Sequence, residues 1–306
     1  MPFRSTFDCL WCGTRWSVRS PDDVEGWAQL CPTCVGKAGE NEFLRFRLRA
    51  ALAERGTRAG GARSVSPEAV DDRRADDRML DDRALVDYYA ARASEYDDWY
   101  LRRGRYSHGP VHDAAWNAEL DAAGAWLDGL PISGEIVELA AGTGWWSPLL
   151  APKGELSLYD ANEAPLDLAR KRLVAHGLRA HTHVRDAWAE PDRQVDALFA
   201  GFWLSHVPRD RLAAFLGIAR RWLKPGGTFA AIDSLPDPQS GAADRPAEPP
   251  SGRDRVRRRL AGGREFEIVK VFYRADELRE AMRGAGFRDA DITTTGRFFL
   301  LARATA

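Results

Sequence analysis

Residues 136–148, IVELAAGTGWWSP, crowd apolar side chains into Gly142-Thr143-Gly144. The stretch reads as a strand that ends in a sharp glycine turn, the form a backbone takes when it must approach a bound ligand closely. A P-loop requires Gly-x-x-x-x-Gly-Lys-Ser/Thr, which is absent near residue 142. A dinucleotide fingerprint requires a third glycine three residues after the second, and Ser147 stands there.

Three acids around the loop narrow the ligand further. Glu138 lies inside the strand, where a pyrophosphate would repel it and an ammonium group would be attracted through backbone or water. Asp160 ends the next strand in LYDAN, placed to accept from both hydroxyls of a ribose. Asp186 follows a third strand in RDAW, placed to accept from an adenine amino group beside Ala187 or Trp188. A close-approach loop with one acid each for a cationic tail, a ribose and an adenine describes S-adenosylmethionine.

Around this segment, short apolar strands (EIVELA, ELSLYD, RAHTHVRD, VDALFAGF and GTFAAIDS) alternate with helical stretches near 145–151, 163–176 and 208–223. Alternation of this kind predicts a parallel sheet with helices on both faces. Upstream, Tyr89, Ala93, Tyr96 and Tyr100 form one helical stripe, and Trp116, Leu120, Ala123 and Leu127 another that Gly129 and Pro131 end. Downstream, RVRRRLAGGREFEIVKVFY reads as a β-hairpin about Ala261-Gly262-Gly263, DELREAMRGAGF as a helix, and DADITTTGRFFLLARA as two strands bent at Gly296. The five prolines between 236 and 250 predict a mobile loop over 235–254.

VELAAGTGWWSPLL, LYDAN, RDAW, FAGFWLSHV and LKPGGTFAAID, in that order and spacing, resemble the successive motifs of class I S-adenosylmethionine-dependent methyltransferases. The likeness spans residues 85–306 and is nearest to the small-molecule branch that includes the menaquinone-biosynthesis enzymes. It implies a Rossmann-like, doubly wound α/β sheet. It implies that Glu138, Gly142 and Gly144 line the methionine part of the cofactor. Asp160 with Ala161 would hold the ribose, Asp186 with Ala187 would flank the adenine, and Phe202 would adjoin them. YYAARASEYDDWY, residues 88–100, resembles an N-terminal helix that closes over the cofactor, which brings Tyr89, Arg92 and Tyr96 toward its carboxylate; ordinary core packing explains the tyrosine stripe equally well. Ala140-Ala141 precede Gly142 where a glycine is commoner, and Trp145 or Trp146 is bulky enough to wall the cleft.

The segment after the fourth strand faces the methyl group in this family. Here it is GFWLSHVP, without the Asn/Asp-Pro-Pro-Tyr motif of base-amino methyltransferases, and residues 35–306 contain no cysteine to serve an RNA cytosine-C5 enzyme. Both features favour a small acceptor, and Phe202 and Trp203 suit an aromatic or polyketide-like one. His206 is the candidate catalytic base, and a histidine near a helix start satisfied by backbone explains it equally well. His108 and His112 from the entry helices, and Arg264, Lys270 and Tyr273 from the late hairpin, are further residues within conceivable reach.

All four cysteines lie in the first 34 residues, as Cys9-x2-Cys12 and Cys31-x2-Cys34 separated by eighteen residues. Two such knuckles predict a zinc-ribbon-like module over 1–45 with one structural zinc on four thiolates, a closed sphere unsuited to catalysis; iron of the rubredoxin kind and paired disulfides are the alternatives. Residues 46–84, dense in charge and poor in apolar groups, read as a linker to the methyltransferase domain, 85–306. The module keeps a second function class open, a nucleic-acid methyltransferase guided by the zinc site; a cofactor-binding protein without methyl transfer is a third. A net charge of −1 provides no global field for nucleic acid. No apolar run approaches the ~20 residues a membrane helix needs. An N-terminus without an apolar core and cysteines confined to one site predict a cytoplasmic protein. The oligomeric state is open.

Overall fold

The structure, a computed structural model, describes residues 6–8, 14–17, 81–244 and 254–306. The chain divides into two compact units, Met1–Arg73 and Arg74–Ala306. In the first, β1 (Thr6–Asp8) pairs antiparallel with β2 (Arg15–Ser17), Phe7 opposite Trp16. Cys9, Cys12, Cys31 and Cys34 lie outside the described residues, as do residues 46–80 of the charged segment.

The first described element of the second unit is a helix, α1, over 81–92, so the described end of the charged segment, 81–84, is helical. A 3-10 turn, Ala93–Glu95, separates it from α2 (Tyr96–Tyr100). The stripe expected of one helix is therefore carried by two short ones. The tighter turn redirects the chain while Tyr96 keeps an edge-to-face contact with Tyr89 at 5.6 Å. Next comes α3 (Pro110–Asp128), which buries Trp116, Leu120, Ala123 and Leu127 on one face.

Five parallel strands follow: β3 (Gly134–Leu139), β4 (Gly154–Asp160), β5 (His181–Val184), β6 (Val195–Gly201) and β7 (Leu223–Ser234). They alternate with α4 (Ser147–Leu150), α5 (Glu163–Ala175) and α6 (Leu212–Trp222). After β7 come the hairpin β8 (Arg255–Arg259) and β9 (Glu265–Val269), then α7 (Ala275–Gly284), β10 (Arg288–Thr294) and β11 (Phe299–Thr305). The central sheet has seven strands in the order β10-β11-β7-β6-β3-β4-β5.

One strand departs from the parallel expectation: β11 runs antiparallel to both β7 and β10. The link through Gly296 is too short for a crossover, so β11 can only fold back on β10. The Glu119 carboxylate on α3 accepts from the backbone N–H of Arg297 (2.9 Å) and Phe298 (2.8 Å), which fixes that turn.

Alternation along the strands builds two cores. Val137, Leu139, Leu198, Phe229 and Ala231 face one cluster with Phe215 and Trp222 of α6 and Leu278 of α7. Ile136, Leu156, Leu158, Phe199 and Ile232 face the other with Trp116 and Leu127 of α3 and Leu166 of α5. A smaller cluster joins Leu85 and Tyr88 of α1 to Leu260 and Ile268 at the β8–β9 hairpin. Two ion pairs reinforce the seat of α1: Arg255 on Asp81 at 2.6 and 2.7 Å, and Arg211 on Asp82 at 2.7 Å. Arg255, first of the basic run 255–259, is thereby committed to this helix. Among the described residues no helix is long and apolar enough to cross a membrane, and no cluster of metal-ligating side chains occurs.

Candidate active site

The carboxyl ends of β3, β4 and β6 open into a cleft, with α1 and α2 closing it from above. At the end of β3 the chain enters the left-handed region at Ala140 (φ 49°), Gly142 (φ 55°) and Gly144 (φ 68°). A side chain at Gly142 would project toward Tyr96, its Cβ 3.7 Å from Cε1, so glycine leaves the loop backbone open to the cleft. Gly144 serves packing instead. A Cβ there would stand 2.7 Å from the Ala169 Cβ, inside van der Waals contact with α5. Gly144 therefore does not line the cleft where the sequence placed it.

Asp160, at the end of β4, holds the loop from the neighbouring strand. Its carboxylate accepts from the Gly142 N–H at 2.9 Å and the Asn162 N–H at 2.8 Å. Burial nevertheless raises its pKa to about 6, these two bonds opposing the shift. A carboxylate has about four acceptor positions, so two stay available to a ligand. Asp186 accepts from the Trp188 N–H at 2.8 Å, an Asx turn that presents Ala187 and the Trp188 ring to the cleft. Arg211 stacks on that ring at 3.7 Å and fixes its plane.

Glu138 is 1% exposed and absent from the cleft wall. It accepts from the Ser147 hydroxyl at 2.6 Å, and burial raises its pKa to about 8. It thus joins β3 to the start of α4, one layer behind the position expected of it. Trp145 and Trp146 are also structural. Trp145 stacks on Tyr100 at 4.2 Å, and Trp146 fills the space a Gly201 side chain would need, its Cδ1 2.6 Å from that Cβ.

The lid is tied to the loop beneath it. Asp97 of α2 accepts from the Thr143 hydroxyl at 2.7 Å and from Arg172 of α5, whose Nε donates to the Thr143 carbonyl at 3.0 Å. Asn162 donates to the Val86 carbonyl of α1 at 3.2 Å. Asp82, Thr143 and Asn162 line the cleft without having been singled out in the sequence, and Trp203, expected on the acceptor side, lines it as well. Asp82 lay in the charged segment, where no local signal separates a site acid from its solvated neighbours.

A second, larger cleft adjoins the first. Tyr89, Tyr96, Phe202 and His206 belong to both walls, so they are the partition between them. Phe202 holds the left-handed conformation (φ 57°), unusual for an aromatic residue, with its N–H donating to the Ile232 carbonyl at 2.7 Å. Such strain persists where surrounding structure enforces it, and it turns the ring into the partition.

His206 is 5% exposed and occupied at both nitrogens. Nδ1 lies 2.8 Å from the Val269 carbonyl, an acceptor only, so Nδ1 carries the hydrogen. Nε2 then accepts from the Tyr89 hydroxyl at 2.6 Å. Burial, with Lys270 adding to it, lowers the His206 pKa well below its ordinary value, while burial raises that of Tyr89. The neutral pair is consequently the stable form. A ring bonded at both nitrogens and surrounded by cations is a poor store for a proton.

Arg92 lines only the larger cleft and is absent from the wall of the smaller one. Lys270 also lines it, donating to the Ser205 hydroxyl at 2.7 Å and the Ser234 hydroxyl at 3.1 Å; burial lowers its pKa to about 8. The remaining candidates for the acceptor side do not reach it. His108 bonds the Gly241 carbonyl at 2.9 Å and His112 packs on Phe298 at 5.2 Å. Arg264 lies over Phe266, and Tyr273 donates to the Val207 carbonyl at 2.7 Å.

The methyltransferase-domain family matches residues 136–227. Over 117 residues the chain is 32% identical to the ubiquinone/menaquinone biosynthesis C-methyltransferase UbiE of Azotobacter vinelandii, covering 35% of this chain and 45% of that protein. The UbiE of Saccharophagus degradans is 28% identical over 127 residues, 39% of this chain and 50% of its own. The chain thus spans about half the length of the curated relatives it matches. Among solved structures, the complex of DhpI with SAH is 31% identical, with a TM-score of 0.56, over 73% of this chain and 96% of that one. The DhpI–SAM–HEP complex is 32% identical at the same TM-score, over 72% and 96%.

Proposed function

The chain belongs to the class I S-adenosylmethionine-dependent methyltransferases, and from that premise we propose that it methylates a small-molecule acceptor bound in the larger cleft. The observation that carries this reading is the partition: four side chains, Tyr89, Tyr96, Phe202 and His206, face the smaller cleft on one side and an aromatic cleft on the other. A donor and an acceptor bound on its two sides meet where those side chains end.

The residues of the smaller cleft fit the cofactor. Gly142 exposes backbone, Asp160 has acceptor positions for ribose hydroxyls, and Asp186, Ala187 and Trp188 form a flat wall suited to adenine. When bound, S-adenosylmethionine supplies an electrophilic methyl group. The protein orients both partners and excludes water, the main requirements of an in-line displacement. His206 acts here as a positioning residue: its Nε2 holds the Tyr89 hydroxyl at the partition, and its own environment keeps it neutral. The free-base role expected from the sequence gives way to this arrangement.

A screen of small aromatic and polyketide-like acceptors with radiolabelled cofactor tests the reading. Label transfer to a small acceptor is the expected result; transfer only to RNA or DNA would establish the nucleic-acid alternative. Cofactor binding without transfer to any of these would establish the non-methylating one.

For the first unit we propose one structural zinc on Cys9, Cys12, Cys31 and Cys34. The antiparallel pairing of β1 with β2 is compatible with this, since the two strands flank the Cys9–Cys12 pair along the chain. Elemental analysis should find about one zinc per chain; metal-free protein with disulfides within each Cys-x-x-Cys pair would refute the assignment.

A further inference from the structure

We propose that the acceptor is an anion, carrying a carboxylate or phosphoryl group, and that Arg92 is the seat of that charge. The proposal rests on the methyl-transfer reading above and names the substrate class of the same site.

Four cationic side chains line the larger cleft, Arg92, Arg258, Arg259 and Lys270, against one carboxylate, Asp237. Asp237 is already bound by Arg297 at 2.7 Å. Three of these cations are engaged elsewhere: Lys270 lies 3.6 Å from Asp233, Arg259 donates to the Asp244 carbonyl at 2.8 Å, and Arg258 is not free either.

Arg92 differs. It is 7% exposed, no carboxylate stands within ion-pair distance among the described residues, and its Nε has no hydrogen-bond partner. Ring faces surround it instead: Tyr96 at 4.6 Å, Tyr106 at 5.5 Å and Tyr88 at 5.6 Å from the guanidinium carbon. Aromatic faces attract a cation but leave its charge uncompensated, and a buried cation without a counter-charge is strongly unfavourable. The guanidinium carries five N–H donors in a planar fork, which matches the two oxygens of a carboxylate or phosphoryl group. With a net charge of −1 over the whole protein, no general field produces this excess; it is local to the cleft. The cofactor's own carboxylate is the less suitable occupant, because Arg92 is absent from the wall of the smaller cleft.

The test uses the full chain with S-adenosylhomocysteine present. Calorimetric titration with benzoate and with phenyl phosphate, each beside benzamide as the neutral control, should show binding of an anion and none of benzamide; the anion that binds identifies the oxyanion. Arg92→Gln should weaken that binding at least tenfold, Arg92→Lys less, and both should leave the affinity for S-adenosylhomocysteine unchanged. Should Arg92→Gln fail to fold, the Arg92→Lys comparison and the loss of anion binding with added salt read the same charge. Failure of both anions to bind, or an Arg92 variant that weakens the cofactor and spares the anion, overturns the proposal. Methylation of neutral acceptors alone would also overturn it while leaving the methyltransferase reading intact.

Discussion

Asp160→Asn separates two duties of one carboxylate. In the structure each oxygen accepts from a different backbone N–H, Gly142 at 2.9 Å and Asn162 at 2.8 Å. An amide has one acceptor oxygen, so one of these donors would face an NH2 group instead. A buried donor left without its acceptor costs roughly 1–3 kcal/mol, the loss expected in chemical denaturation followed by tryptophan fluorescence. Cofactor binding loses more than the loop geometry, because the ribose hydroxyls would also lose a charged acceptor at roughly 1.5–3 kcal/mol each. Calorimetric titration with S-adenosylhomocysteine should therefore show affinity reduced by about tenfold or more. The pH dependence gives an independent reading. Burial places the Asp160 pKa at about 6, so wild-type affinity should fall as the pH drops below that value, while the Asn variant should lack this limb. An Asn variant with wild-type stability, affinity and pH dependence would refute the reasoning at each step.

Other expectations follow from the same geometry. Gly144→Ala forces a Cβ to 2.7 Å from Ala169 at a left-handed backbone position, and should cost roughly 2–4 kcal/mol in denaturant midpoint experiments; a loss below about 0.5 kcal/mol would mean that α5 shifts freely. Glu138 keeps its proton in the folded state up to about pH 8, so the stability it contributes is full below the ordinary carboxyl range and is lost as pH rises toward 8. Relative to Glu138→Gln, the wild type should lose stability with pH at up to ~1.4 kcal/mol per unit across that window, and parallel curves would contradict the assignment. With His206 held neutral, kcat at saturating cofactor should show no acid limb near the ordinary histidine value of 6.5. A limb there that vanishes in His206→Gln would restore the free-base role. Tyr89→Phe removes the donor to Nε2 and should destabilise the protein by roughly 1–3 kcal/mol in the same denaturation experiment.

The sequence by itself determined what depends on near neighbours. The period of apolar residues set β3 to β7 and their helices, and glycines at 142 and 144 marked the turn because only a left-handed backbone closes it so tightly. Asp160, Asp186 and Ala187 were legible because each directly follows a strand whose end the fold brings to one edge. Tertiary structure alone decided which of these residues face the cleft. Gly144 and Glu138 look like site residues by spacing, yet one makes room for Ala169 and the other receives a bond from Ser147. Tyr89 and His206 are 117 residues apart, and their 2.6 Å contact exists only because the β8–β9 hairpin and α1 pack together over the sheet. The setting of Arg92 is of the same kind: that its Nε has no hydrogen-bond partner and that ring faces, not a carboxylate, stand beside it among the described residues depends on segments distant in the chain, and no local pattern encodes it. Local periodicity specifies elements through interactions a few residues long, whereas partners, tautomers and uncompensated charges arise from contacts between segments that are distant along the chain.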